Sequence, residues 1–184
     1  MRVISGSAKG RPLKAAGPAT RPITDRVKES LFNILGARIV EANVLDLFAG
    51  AGSVGIEALS RGARAATFVE VDRAALNAIH TNLHATHLAE RARVVRRDVF
   101  KFLRDATERY DVIYVAPPQY RGLWAETLLL LDQGAWLAEH GIVVVQIHPK
   151  EYKELALTQL ELFDQRKYGS TLLCFYRLRR VASS

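Results

Sequence analysis

Three glycines, Gly50, Gly52 and Gly55, stand at the spacing G-x-G-x-x-G. Glycines so spaced let a backbone turn tightly and approach a ligand closely. Asp46 stands four residues before Gly50, and Glu70 eighteen after Gly52. A carboxylate at the second place can accept bonds from both hydroxyls of a ribose. A carboxylate beside the loop is awkward for a pyrophosphate but suits an ammonium or a sulfonium, and S-adenosylmethionine has both. Further on, Asp98-Val99 offers a carboxylate to an adenine amino group; Asp98 is equally suited to cap a helix. Asp46, Glu70 and Asp98 together read as a methionine–ribose–adenine track. Without a ligand, the same glycines make only a tight turn.

A second place with chemistry is Ala116-Pro117-Pro118-Gln119-Tyr120. Adjacent prolines force a stiff, extended turn and remove two amide donors. Their carbonyls are then free to face a ligand, although a merely rigid loop would read the same. Gln146 and His148 follow a later apolar run. Gln119, Gln146 or His148 could serve as a hydrogen-bond acceptor, and His148 equally suits a hydrogen-bonded surface position.

These residues need strands and helices to place them. From Asn43 onward the pattern alternates. Strands are expected at 44–48, 66–70, 92–96, 111–115 and 141–147, with helices at 53–61, 73–86, 99–105 and near 124–131. Runs at 160–166 and 171–178 read as a closing antiparallel pair. Repeated strand–helix units imply an α/β fold: a seven-stranded, mostly parallel sheet covered by helices on both faces, with an antiparallel hairpin at one edge. In such sheets ligands bind beyond the carboxyl ends of the strands, where the strand order reverses. Residues 1–40 read as a separate extension ahead of a domain at 41–184. The extension holds a β-hairpin (2–6 with 11–15), a loop from Gly17 to Pro22, and a helix capped by Thr24 and stopped by Gly36. Trp124, Trp136 and Cys174 read as packing residues, and Ala182-Ser183-Ser184 as a frayed end.

Composition bounds the possibilities. A chain of 184 residues with 49% hydrophobic and 24% charged residues suits one folded domain. One cysteine excludes an internal disulfide and a Cys-cluster zinc site, and no metal is expected. No apolar run reaches the length of a membrane span, and Met1 to Gly6 has no apolar signal core. A cytoplasmic protein, working as a monomer and away from membranes, is expected. The net charge is +7, and residues 1–40 hold eight basic residues against two acidic, a net +6. A basic arm on a near-neutral body is the footprint of a polyanion binder, although a solvated charged surface would look similar.

The chain resembles the Rossmann-like class I methyltransferases and, more narrowly, the RsmD family. The narrower likeness rests on Gly10-Arg11-Pro12-Leu13-Lys14, on Thr20-Arg21-Pro22 and on Thr24 through Leu35. It continues through Asp46 to Ala63, Phe68-Val69-Glu70, Arg97-Asp98 and Pro117-Pro118 with Arg121-Gly122-Leu123. The resemblance implies methyl transfer from S-adenosylmethionine to the exocyclic N2 of a guanosine in 16S ribosomal RNA of the small subunit. It implies a cofactor site of Asp46, Phe48, Gly50 and Gly52 around the methionine, Glu70 and Val71 at the ribose, and Asp98 and Val99 at the adenine. It implies that the arm holds RNA, with Arg2, Arg11, Lys14, Arg21 and Arg26 as phosphate contacts. The transfer would occur at Ala116, Pro117, Pro118 and Gln119. Here the chain departs from the family, whose pattern is Asp or Asn, Pro-Pro, then Tyr or Phe. Ala116 removes a side-chain acceptor, and Gln119 removes an aromatic face.

Three rivals stand beside this reading. A non-catalytic RNA-binding or assembly factor is favoured by Ala116 with Gln119. An amino-methyltransferase acting on DNA or adenine is permitted by the loop and Pro-Pro turn but opposed by the arm. A nicotinamide enzyme is opposed by Asp46.

Overall fold

The computed structural model describes residues 1–18, 21–105 and 107–181. Thr20 and Ala182-Ser183-Ser184 lie outside the described residues. Helix α1 runs Asp25–Leu35. Its start is set by Thr24, whose Oγ1 accepts from the Val27 amide, and Gly36 ends it at φ 54°. Then come β1 (Asn43–Leu47), α2 (Ser53–Ser60), β2 (Ala65–Glu70), α3 (Arg73–Thr86), β3 (Ala92–Arg96) and α4 (Val99–Asp105). The chain continues with β4 (Tyr110–Val115), α5 (Leu123–Gln133), β5 (Leu137–Ile147), β6 (Leu160–Tyr168) and β7 (Thr171–Leu178).

The sheet order is β3-β2-β1-β4-β5-β7-β6. The first five strands are parallel, and β7 runs antiparallel to both β5 and β6. The hairpin therefore sits at one edge, with its second strand inside and its first outside. Strand order reverses between β1 and β4, which places a crevice at their carboxyl ends.

Successive residues point to opposite faces of a strand, and here both faces are covered. Val44, Phe68, Tyr114 and Val144 pack with Leu31, Ile56 and Ile79 of α1, α2 and α3. Leu45, Val69, Ile113 and Val143 pack with Phe102, Trp124 and Leu128 of α4 and α5. Trp136 and Cys174 are also buried in this second cluster. Val3, Ala8, Leu13, Ile23 and Val27 join the first cluster, so residues 1–40 share a core with the sheet.

Two elements differ from expectation. The N-terminal hairpin forms but is short: Arg2 bridges Pro12, with the Val3 amide donating to Arg11 O at 3.0 Å and the Leu13 amide to Met1 O at 2.9 Å. The amides of Ile4 and Ser5 go to the Glu57 carboxylate instead of extending the hairpin. Strand β5 begins at Leu137, ahead of Gly141, because Tyr110 pairs with Leu137 before the ladder shifts register.

Candidate functional site

The carboxyl ends of the central strands meet as one cluster. The Ala49 amide donates to the Val69 carbonyl at 3.1 Å, the Arg97 amide to the Glu70 carbonyl at 3.1 Å, and the Ala116 amide reaches the Leu47 carbonyl at 3.5 Å. These contacts bring the loop after β1, the end of β2, the turn after β3 and the Pro-Pro turn together.

The three glycines do different work. Gly50 has φ 57°, and a Cβ there would meet nothing within 4 Å. Gly52 has φ 80° and caps α2; its Cβ would press on Ile79 and Phe68 at 3.2 Å. At Gly55 a Cβ would lie 2.3 Å from Cε1 of Phe68, so this glycine lets α2 pack against β2. The loop thus turns its open side outward at Gly50 and its crowded side toward the core. Phe48 also adopts a left-handed backbone, φ 57°, and its ring meets Phe100 edge-on at 6.3 Å. A non-glycine residue in this conformation stores strain, and such strain gathers at functional sites.

The carboxylates are placed differently from one another. Asp46 is buried, and its Oδ2 accepts from the Gly55 amide at 3.0 Å. Burial pushes its carboxyl up to about 8, with the Glu70 charge adding to the shift and the Gly55 bond opposing it. Glu70 is half-buried: Oε2 accepts from Gly50 at 2.8 Å, and Oε1 from Val71 at 2.8 Å and Asp72 at 3.0 Å. The Val71 side chain is exposed. Asp98 is exposed and caps α4 through the Lys101 amide at 3.0 Å, while Val99 is buried in the second apolar cluster.

On the other side of the crevice, Ala116 and Gln119 are half-buried, Pro117 is buried and Pro118 is exposed. Oε1 of Gln146 already accepts from the Tyr114 hydroxyl. Nδ1 of His148 accepts from the Lys150 amide at 3.1 Å, forming a capping box with Glu151. Gln146 and His148, two of the three candidate substitute acceptors, therefore have local partners. Tyr120 has φ 60° and an exposed ring 5.5 Å from that of His148. Its amide donates to Glu151 at 2.7 Å.

The arm residues Arg2, Arg11, Lys14, Arg21 and Arg26 are all exposed. Arg2 pairs with Asp25 at 3.0 Å, and Arg11 donates to the Ala85 carbonyl at 2.8 Å. Lys28, which the charge count places among the arm's basic residues, is buried and adds nothing to the exposed charge. It donates to Arg2 O at 2.6 Å and Ser53 Oγ at 3.0 Å, and it pairs with Glu57. Sequence reasoning overlooked Lys28, Glu57 and Asn82. The signal was available for two of them. Lys28 shares a helical stripe with Leu31, Phe32 and Leu35, and Asn82 shares one with Leu76, Ile79, Leu83 and Thr86. A polar residue inside an apolar stripe is buried with a partner or not at all.

Among known proteins, residues 1–177 match the family model described as Conserved hypothetical protein 95. Ribosomal RNA small subunit methyltransferase D of Escherichia coli is 44% identical over 147 residues, 79% of this chain and 74% of that protein. The protein of the same name from Haemophilus influenzae is 34% identical over 182 residues, 97% of this chain and 92% of that one. The solved structure of yhhF from Escherichia coli superposes with a TM-score of 0.86 at 38% identity, covering 97% of both chains. The chain therefore belongs to the Conserved hypothetical protein 95 family, the RsmD family of S-adenosylmethionine-dependent methyltransferases.

Proposed function

We propose that this protein transfers a methyl group from S-adenosylmethionine to the exocyclic N2 of a guanosine in 16S ribosomal RNA, acting in the cytoplasm on the small subunit or its RNA. One observation carries the cofactor part: the glycine loop opens outward at Gly50, where a Cβ would meet nothing within 4 Å, between the carboxylates of Asp46 and Glu70. The residues present fit the cofactor. A buried carboxylate at Asp46 favours a neighbouring cation, because its own ionisation is costly without one. Glu70 keeps acceptor capacity beside its three amide partners for ribose hydroxyls. Asp98 caps α4 through Oδ1, which leaves Oδ2 to face an adenine amino group. When bound, S-adenosylmethionine supplies an electrophilic methyl on a sulfonium.

The remaining work falls to the chain. The lone pair of a guanine N2 is delocalised into the ring, and attack needs that nitrogen to pyramidalise. Hydrogen-bond acceptors on its N–H groups favour this. The Pro117 carbonyl is one such acceptor, on a turn that two prolines make rigid. Ala116 supplies no second one, so catalysis rests more heavily on holding the base in place. No base need act before attack, since the methylated amine loses its proton to water afterwards. The names of the Escherichia coli and Haemophilus influenzae relatives support ribosomal RNA as substrate, and the exposed arginines of the arm suit its phosphates.

Ala116 with Gln119 favours a second reading: an RNA-binding or assembly factor that no longer turns over. Methyl transfer from labelled S-adenosylmethionine to small subunits from cells lacking this gene separates the two. N2-methylguanosine at one position is the expected product. No incorporation, with cofactor and RNA both bound, would establish the second reading instead.

A further inference from the structure

Asn82 lies on α3, is 1% exposed, and touches two segments far apart in the sequence. Its Oδ1 accepts from the Lys14 amide at 2.7 Å. Its Nδ2 donates to the Lys14 carbonyl at 2.9 Å and to the Ala51 carbonyl at 3.0 Å. Both amide hydrogens and the oxygen are engaged. The orientation is also determined, since a flipped amide would set its NH2 group against the Lys14 N–H. Lys14 belongs to the basic arm. Ala51 lies between Gly50 and Gly52, in the loop that opens toward the cofactor. One buried side chain therefore joins the arm's backbone to the peptide at the centre of the glycine loop.

A second strut runs in parallel. Nζ of Lys28 donates to Ser53 Oγ, on the first residue of α2, and to the carbonyl of Arg2 in the arm. The arm lies closely on α2 beyond that point: a Cβ on Gly6 would fall 1.8 Å from the Ser60 carbonyl oxygen, and the Ser7 amide donates to that oxygen at 2.8 Å. Residues 51–53 are thus held at one end by Asn82 and at the other by Lys28, both anchored on the arm.

We propose that Asn82 is a positioning residue that sets the glycine loop from a footing on the basic arm, so that ordering the arm and binding the cofactor are one linked equilibrium. Asn82 touches no reacting atom in this scheme. It acts through the Ala51 carbonyl, whose placement determines where the Gly50 and Gly52 peptides face. By linkage, whatever orders the arm tightens cofactor binding by the same factor with which the cofactor tightens the arm. The inference takes the cofactor reading of the loop from the proposed function and does not depend on RNA.

The test uses the full-length protein and S-adenosylhomocysteine as the probe. Hydrogen exchange of the Lys14 amide is followed with and without the probe. The Lys14 amide is expected to slow about tenfold more than the amides of the distant β6–β7 edge hairpin, whose local opening leaves the glycine loop in place. Calorimetry on Asn82→Asp is the second arm. This variant keeps the acceptor for Lys14 but sets a carboxylate against two carbonyls, and about tenfold weaker binding is expected. Leu83→Ala, on the same helix, is the matched control that loses stability while binding the probe like the native protein.

Lys14 protection no greater than that of the hairpin overturns the proposal. So does native affinity in Asn82→Asp, or an equal loss in Leu83→Ala. Should Asn82→Asp fail to fold, the exchange measurement on the native protein decides alone. Native protein that does not bind the probe overturns the cofactor reading and this inference with it. Native protein that binds the probe with the expected coupling, yet ignores ribosomal RNA, overturns only the RNA reading.

Discussion

Nζ of Lys28 lies 3.2 Å from Oε2 of Glu57, and both side chains are shut off from solvent. All three ammonium donors are used, on Arg2 O, Ser53 Oγ and Glu57. The carboxylate also accepts from the Ile4 and Ser5 amides and from Arg61. Burial lowers the Lys28 ammonium below its usual range, with Glu57 opposing the shift. Removing one partner would strand the other's charge. Lys28→Met is expected to destabilise the protein by about 3 kcal/mol. In urea unfolding, the double variant Lys28→Met with Glu57→Gln should lose clearly less than the sum of the two single variants.

Asp46 links cofactor affinity to pH. Its carboxyl, pushed up to about 8 by burial, holds a proton at neutral pH, while a bound cation favours the carboxylate. Affinity for S-adenosylmethionine should therefore rise from pH 6 and level off above pH 8, by up to about tenfold per unit on the slope. Asp46→Asn should bind more weakly at pH 8 and show no slope in calorimetry. Stability moves the other way. A carboxyl whose folded pKa is raised contributes stability below its unfolded value of 3.8 and loses it as pH rises through about 8.

Two glycine substitutions separate binding from packing. Gly55→Ala would put a Cβ 2.3 Å from Phe68 Cε1 and should lower stability by about 1–3 kcal/mol. Gly50→Ala meets open space, so its stability cost is only the roughly 1 kcal/mol of a left-handed alanine. Its larger effect should be on cofactor affinity, because the new methyl occupies the open side of the loop. Thermal unfolding and calorimetry on both variants check the contrast.

Ala116→Asp restores the missing acceptor at the end of β4. Single-turnover methyl transfer should then quicken, by as much as about 10²–10³ if one positioned electrostatic partner is all that is lacking. A rate no higher than native would show that another group already does this work.

The arm should bind RNA by charge. Arg21→Ala and Arg26→Ala are each expected to weaken binding to all RNA sequences alike and to reduce the salt slope by about one. Arg2→Ala should do less, because Asp25 already balances Arg2 at 3.0 Å. Titrations at several salt concentrations read both quantities.

Much of this molecule was legible in the chain itself. Helices at 73–86 and 99–105 and the strand at 92–96 fall where hydrophobic period and capping residues put them. The seven strands and the glycine loop were equally plain, because local sterics and side-chain period act over a few residues. The extent of the N-terminal hairpin was not, because its amides at Ile4 and Ser5 had a competitor in Glu57, more than fifty residues away.

The sequence by itself determined the α/β pattern, the glycine turn, the basic arm and the departure at Ala116 and Gln119. Each of these depends on residue type and short spacing. Only the tertiary structure decided which charges are spent inside the protein. Lys28 looks like one more arm cation until α2 brings Glu57 against it. Asn82 looks like an ordinary helix residue until Lys14 and Ala51 close on it. A charge or an amide costs little in water and much when buried without a partner. Whether such a residue is a surface group or a strut therefore depends on which distant segment folds against it.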